Sequence, residues 1–180
     1  GALIYFVTYM AILLVASKNY LYLLMGLFAG SGAAVIAHKL FTHVQVRVQA
    51  FIDPFSVIDK EGYQITQSLF AIACGGFFGT GLMKDVPDDI PFVESDFIFS
   101  AIAEEMGVLV AACMLLICVA AFLIFMKNAM ALQDPYYRLV SVGLGVMYIF
   151  QVFLTVGGGI KFIPLTGVTL PFVSYGGSSV

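Results

Sequence analysis

Long apolar runs alternate with short polar stretches along this chain. Residues 2–16 are apolar except for Thr8, and residues 20–37, 106–126 and 139–160 contain no charged side chain. A helix that crosses the hydrocarbon core of a bilayer needs about 20 predominantly apolar residues. The pattern therefore predicts an all-α polytopic membrane protein with about four transmembrane helices.

The whole chain is predicted to form a single membrane domain, residues 1–180. Its spans cover about residues 2–17, 20–37, 96–126 and 138–160. The third is unusually long because it starts near Asp96, and it places Glu104 and Glu105 inside the membrane. Intramembrane carboxylates are costly and usually line a cavity or pair with a partner. A structural pairing and a substrate role are equally compatible with these two glutamates.

Overall composition supports the membrane class. Hydrophobic residues make up 61% of the chain and charged residues 11%, whereas soluble domains carry about 25% charged residues. The net charge of -3 offers no basic surface for a nucleic acid backbone. The 3 cysteines are an odd number within an apolar chain, which indicates buried thiols rather than a disulfide framework.

The distribution of charge predicts the orientation. The short connections 17–19 and 127–138 contain three basic residues and one acid, whereas the long loop 38–95 is predominantly acidic. Positive charge favours the cytoplasmic side. The long loop and the tail 161–180 are therefore predicted to be extracellular.

A long loop of this kind is expected to contain structure of its own. Residues 63–82 are mostly apolar and end in the glycine-rich stretch CGGFFGTG, which predicts an interfacial or re-entrant helix. No strand precedes these glycines and no Gly-Lys-Ser/Thr follows them, so a phosphate-binding loop is excluded and close helix packing is favoured. The small-xxx-small spacing of Gly26 and Gly30 also predicts a close helix approach.

Asp96 lies where the acidic loop meets the third predicted span. The structural interpretation is that Ser95 caps a helix and that Asp96 complements its dipole. The functional interpretation is a carboxylate at the outer membrane surface beside a substrate pocket. Five acids within residues 85–96 form a cluster dense enough for Mg²⁺ or Ca²⁺, although a solvated loop is the favoured explanation.

Three blocks together resemble one family, the SEDS proteins (FtsW, RodA and SpoVE). They are RVQAFIDPF with GYQITQSLFAIACGGFFGTGL, then ESDFIFSAIAEEMG, and finally GVTLPFVSYGGSS. The resemblance implies a peptidoglycan glycosyltransferase that polymerises lipid II at the outer face of the bacterial cytoplasmic membrane, in division, elongation or sporulation. It also implies about ten spans in all, so we expect residues 1–180 alone to be inactive. Thr155 stands where the family often has asparagine.

By the same resemblance, Asp96 falls on the family's catalytic aspartate. Arg47, Gln64 and Gln67 fall on motif positions near the same cavity. Glu104 and Ser174 belong to the resembling blocks, and together with Arg47, Gln64, Gln67 and Lys161 they are the predicted substrate-binding residues. The reaction needs a base for a sugar hydroxyl and positive charge on a departing lipid pyrophosphate. Asp96 is the predicted base and Arg47 the first candidate for the cation. Weaker candidates for the positive charge are Lys84, Lys161 and a divalent ion, Mg²⁺ or Mn²⁺.

Other function classes stay open at this point. One alternative is a lipid II transporter, or flippase, and another is a non-catalytic scaffold of the cell-wall synthesis machinery. The resemblance further implies a class B penicillin-binding protein as partner. A polymerisation assay that compares the wild type with Asp96→Ala distinguishes these classes.

Overall fold

The computed structural model describes residues 1–53, 61–81 and 97–174, and all regular structure within these ranges is helical. Within these ranges seven helices follow one another: α1 (Ala2–Ser17), α2 (Tyr20–Leu40), α3 (Thr42–Ile52), α4 (Glu61–Gly75), α5 (Ile98–Met106), α6 (Val108–Ala131) and α7 (Pro135–Gly159). The predicted all-α class is confirmed.

Three of the described helices are long and apolar enough to cross a membrane, namely α2, α6 and α7. They contain 21, 24 and 25 residues, or about 32–38 Å at 1.5 Å per residue, against about 30 Å for a hydrocarbon core. The first predicted span, α1, is apolar but has 16 residues. The chain is therefore a multi-pass membrane protein.

The predicted span 96–126 differs from the structure. The chain forms two helices there, α5 and α6, which are separated at Gly107. Gly107 has φ 88°, a backbone conformation that an α-helix cannot contain and that glycine adopts without a steric penalty. Glu104 and Glu105 consequently lie in the last turn of α5, and not in one continuous helix with α6 as predicted.

Local side-chain chemistry sets several helix ends. Asn19 caps α2 by accepting a hydrogen bond from the Leu21 backbone N–H at 3.0 Å, as N-cap residues commonly do. The carboxylate of Asp134 accepts from the Tyr136 N–H at 2.9 Å, and Pro135 occupies the first position of α7, where the missing N–H costs nothing. These caps define the two short connections predicted to be cytoplasmic.

The helices belong to two compact units. The first comprises Gly1–Thr42 and Cys118–Phe150. Within it α2 approaches α1 at two glycines, Gly26 against Met10 and Gly30 against Phe6. The close helix approach predicted from the Gly26–Gly30 spacing is confirmed, because side chains of α1 occupy the space that larger residues would fill.

The second unit comprises His43–Ile117 and Gln151–Val180. Its described part contains α3, α4, α5, one end each of α6 and α7, and the segment 160–174, which follows α7. Two of its helices, α3 and α4, lie in the loop predicted over 38–95. The helix predicted over 63–82 is α4, which begins at Glu61 and ends at Gly75, and the sequence interpretation did not include α3.

Candidate functional site

Helix α4 presents the two predicted glutamines next to a buried serine. Gln64 and Gln67 are partly buried, and Ser68 is fully buried at 0% exposure. The Ser68 hydroxyl donates to the Gly159 carbonyl at the end of α7, over 2.8 Å. Helix α4 is thus bonded to the C-terminal end of α7 through a side chain next to Gln67.

Helix α5 joins the same arrangement. The Ser100 hydroxyl oxygen is 2.6 Å from that of Ser68, and Ser100 also has 0% exposure. Phe97, at the N-cap position of α5, is 1% exposed and packs with Ala71 and Leu165. A buried apolar cluster and a buried hydroxyl pair therefore hold the start of α5 against α4.

The predicted base, Asp96, lies outside the described residues. So do the acids at positions 85–94, Ser95 and Lys84. The N-cap residue of α5 is Phe97, which makes no capping side-chain hydrogen bond.

The glycine-rich turn after α4 bonds to the break between α5 and α6. The backbone N–H groups of Thr80 and Gly81 donate to the carbonyls of Glu104 and Glu105 at 2.9 and 3.1 Å. In return, the Val108 N–H donates to the Gly76 carbonyl at 3.0 Å. A helix end leaves carbonyls and N–H groups without intrahelical partners, and here the turn supplies them.

Three glycines make this contact possible. A Cβ atom at Gly75 would overlap the Ala103 backbone, one at Gly79 the Glu105 carbonyl, and one at Gly107 the Phe77 carbonyl. Only residues without a side chain allow two backbones to approach this closely. The close packing predicted from CGGFFGTG is confirmed.

The segment 160–174 follows α7 and bonds to two helices. Arg47 of α3 donates from Nη1 to the Thr166 carbonyl at 3.2 Å. The Thr155 hydroxyl of α7, 3% exposed, lies 2.8 Å from the Val168 carbonyl and 3.0 Å from the Gln151 carbonyl, so its single proton is shared between these two acceptors. The segment is therefore attached on both sides by buried or partly buried polar side chains.

Two further predicted residues belong to this segment. Ser174 is buried and closes a turn, because its hydroxyl accepts from the Leu170 N–H at 2.9 Å and its own N–H donates to the Leu170 carbonyl at 3.0 Å. Lys161 is partly exposed and has φ 55° directly after α7. Ser174 therefore has a structural contact in addition to the substrate role predicted for it.

The structure assigns the described candidates to one unit. Arg47, Gln64, Gln67, Glu104, Lys161 and Ser174 all belong to the second unit. In its described part, Arg47 and Lys161 are the arginine and lysine side chains, so two of the predicted sources of positive charge are found in it. Within the described ranges, no group of three His, Cys, Asp or Glu residues is placed to hold a metal ion.

Sequence reasoning did not identify the buried hydroxyl contacts of Ser100 and Thr155. A usable signal exists, since each is an isolated hydroxyl residue within an apolar helical run. Such residues are frequent hydrogen-bond donors between helices in membrane proteins. The signal does not identify the acceptor, which for Ser100 is 32 residues away in sequence.

The sequence pattern of the FtsW, RodA and SpoVE proteins, described as cell cycle proteins, matches residues 1–180. The chain belongs to this family. It is 37% identical over 180 residues to the peptidoglycan glycosyltransferase RodA of Mycobacterium tuberculosis, covering 100% of this chain and 38% of that relative. It is 34% identical over 160 residues to a probable peptidoglycan glycosyltransferase FtsW of Lactococcus lactis, covering 85% of this chain and 37% of the relative.

A solved structure matches the fold of this chain. It is described as showing structural coordination of polymerization and crosslinking by a peptidoglycan synthase complex. The match has a TM-score of 0.78 at 29% identity and covers 99% of this chain and 50% of the solved chain. The family resemblance read from the three sequence blocks is thereby confirmed, and the chain spans well under two thirds of the length of these relatives.

Proposed function

We propose that the protein containing this chain is a peptidoglycan glycosyltransferase that polymerises lipid II. The observation that carries the proposal is family membership over all 180 residues, together with relatives named as peptidoglycan glycosyltransferases. The activity is proposed for the full-length protein, because the chain spans 38% of its RodA relative.

The chemistry requires few groups. A sugar hydroxyl attacks an anomeric carbon, and a lipid pyrophosphate leaves without needing a proton. The second carboxylic acid of a glycosidase is therefore unnecessary. One base must accept the hydroxyl proton, and positive charge must stabilise the departing phosphates. We assign the base to Asp96, which in sequence directly precedes the buried N-cap residue of α5, Phe97.

The described residues suit the remaining roles. Arg47 carries a planar guanidinium that matches phosphate oxygens, and its contact with Thr166 orients it. Lys161 supplies a second cation directly after α7. Gln64 and Gln67 are assigned to hydrogen bonds with sugar or phosphate oxygens. Glu104 and Ser174 complete the proposed substrate-binding set, while the backbone of Glu104 and the hydroxyl of Ser174 also have structural contacts.

A divalent cation remains a proposal for the acidic stretch. Oxygen ligands suit Mg²⁺, and Asp85, Asp88 and Asp89 are the acids closest together in sequence. They lie outside the described residues, so no step of the proposed reaction is assigned to a metal ion.

The proposed location is the bacterial cytoplasmic membrane, with the site on its outer face. The basic residues in the two short connections support this orientation. A class B penicillin-binding protein is the proposed partner. The similar solved structure belongs to a peptidoglycan synthase complex that coordinates polymerization and crosslinking, which supports a crosslinking partner of that kind.

The test uses purified full-length protein with labelled lipid II and gel separation of the glycan products. Asp96→Asn preserves the size of the side chain but removes the base. We expect it to fold, and to lose about 10²–10⁴-fold in rate.

Asp134→Asn is the matched control. Asp134 caps α7 through the Tyr136 N–H, and asparagine caps equally well, so this variant should retain wild-type activity. Near-normal polymerisation by Asp96→Asn would refute the assignment of the base. Absence of polymerisation by the wild type would refute the function.

A further inference from the structure

Two serine hydroxyls connect three helices of the second unit. Ser68 and Ser100 both have 0% exposure, and their oxygens are 2.6 Å apart. The Ser68 hydroxyl has one proton, which it donates to the Gly159 carbonyl at 2.8 Å. The Ser100 hydroxyl must then be the donor within the serine pair. The bonds therefore have one direction, from Ser100 to Ser68 to Gly159.

Ser100, Ser68 and Gly159, called the serine relay below, each lie on or next to an element that carries a residue of the proposed site. Gln64 and Gln67 lie on α4, four residues and one residue before Ser68. Ser100 lies in the first turn of α5, and Asp96 precedes it by four residues in sequence. Gly159 ends α7, where the segment 160–174 begins.

Apolar side chains at positions 68 and 100 would fill the buried space between these helices equally well. Ala71, Phe97 and Leu165 already form such a contact between α4, the start of α5 and the segment 160–174. Buried hydroxyls are costly unless hydrogen-bonded, and their bonds are directional, whereas apolar packing tolerates sliding. A pair of short bonds therefore determines the register of α4 against α5 and α7 more narrowly than the apolar cluster does.

We infer that Ser68 and Ser100 are positioning residues for the glycosyl transfer. This inference rests on the proposed function. Neither serine is proposed to contact the substrate. Through its bond to Gly159, Ser68 fixes the position of α4, and therefore of Gln64 and Gln67, relative to the end of α7. Ser100 sets the start of α5 against Ser68.

The test is a double-mutant cycle in the purified full-length protein, with initial rates measured over a range of lipid II concentrations. Ser68→Ala removes both bonds, and we expect kcat to fall about 10- to 100-fold, the range that a displacement of about 1 Å at a reacting group produces. Ser100→Ala leaves the bond from Ser68 to Gly159 and should cost less. The double variant should equal Ser68→Ala, because Ser100 acts only through Ser68.

Two further variants separate positioning from loss of structure. Ser68→Cys is similar in size and keeps a weak donor, so its kcat should lie between those of Ser68→Ala and the wild type. Ser31→Ala is the matched control, because the exposed Ser31 hydroxyl bonds to the Phe28 carbonyl of its own helix at 2.9 Å. It should keep the wild-type kcat and KM.

The outcomes are distinguishable. If Ser68→Ala lowers the midpoint of thermal denaturation while its folded fraction keeps a kcat within about twofold of the wild type, the pair is a structural connection and the inference is wrong. If the decreases in kcat of the two single variants add up in the double variant, Ser100 does not act through Ser68, and the inference is wrong. Failure of the wild type to polymerise lipid II overturns the proposed function, and the positioning role with it.

Discussion

Substitution of Gly75 by alanine tests the close approach of α4 and α5. Gly75 is the last residue of α4, and an added Cβ would overlap the Ala103 carbonyl and stand 2.6 Å from the Glu104 Cα. Both are backbone atoms, so no flexible side chain can rotate away. Helix α5 must shift as a whole, which stretches the bonds that Thr80 and Gly81 donate to its last carbonyls.

The expected magnitude follows from opposing effects. Alanine gains up to about 1 kcal/mol over glycine within a helix. Overpacking costs about 1–3 kcal/mol, and a buried polar group that loses its partner costs about 1–3 kcal/mol. The two backbone bonds are weakened rather than lost, so together they cost about as much as one lost partner, and the expected net destabilisation is about 1–5 kcal/mol.

Gly32→Ala provides the matched comparison. Gly32 lies within α2, and a Cβ there meets nothing within 4 Å, so the variant should be neutral or stabilised by up to about 1 kcal/mol. The assay heats the full-length protein in detergent and measures the monodisperse fraction by size-exclusion chromatography. A midpoint for Gly75→Ala equal to or above that of Gly32→Ala would refute the backbone contact.

Two other predictions concern the attachment of the segment 160–174 and the topology. Thr155→Val preserves the shape of the side chain but removes the donor to the Val168 carbonyl, and it should lower the thermal midpoint by the equivalent of about 1–3 kcal/mol. Thr8→Val removes a bond within a single helix and should lower the midpoint less. Equal decreases for the two variants would contradict the attachment of the segment 160–174 by Thr155. A cysteine at Lys60 should react with an impermeant thiol reagent in intact cells that lack an outer membrane, whereas one at Asn128 should not, and labelling at Asn128 alone would invert the orientation.

Helix α3 shows where local pattern and fold diverge. Val44, Val46 and Val48 alternate with polar residues, a period of two that is typical of strands. The chain is nevertheless helical from Thr42 to Ile52. In this helix Arg47 reaches a carbonyl 119 residues away. Tertiary contacts override a weak local preference, so this element and its contact could not be predicted from its own residues.

Sequence also identified some residues of the candidate site but not their tertiary contacts. The resemblance of sequence blocks identified Arg47, Gln64 and Gln67 as candidates, and the structure places all three in the second unit. The resemblance noted Thr155 only as a departure from the family pattern and did not note Ser100, and it identified the hydrogen-bond partner of neither residue. Sequence separations of 32 residues for the serine pair and 13 for Thr155 to Val168 exceed what periodicity within one helix can report.

The sequence by itself determined the membrane class, the apolar runs that form α2, α6 and α7, and the close packing at its glycines. The first two follow from the transfer of apolar side chains into lipid, summed over neighbouring residues. The third follows from the absence of a Cβ at each glycine. Only the tertiary structure decided that the chain breaks at Gly107. The break is stable because a turn from α4 pairs with the carbonyls of α5 and the first N–H of α6, and buried backbone groups need such partners. Those partners come from a distant part of the chain.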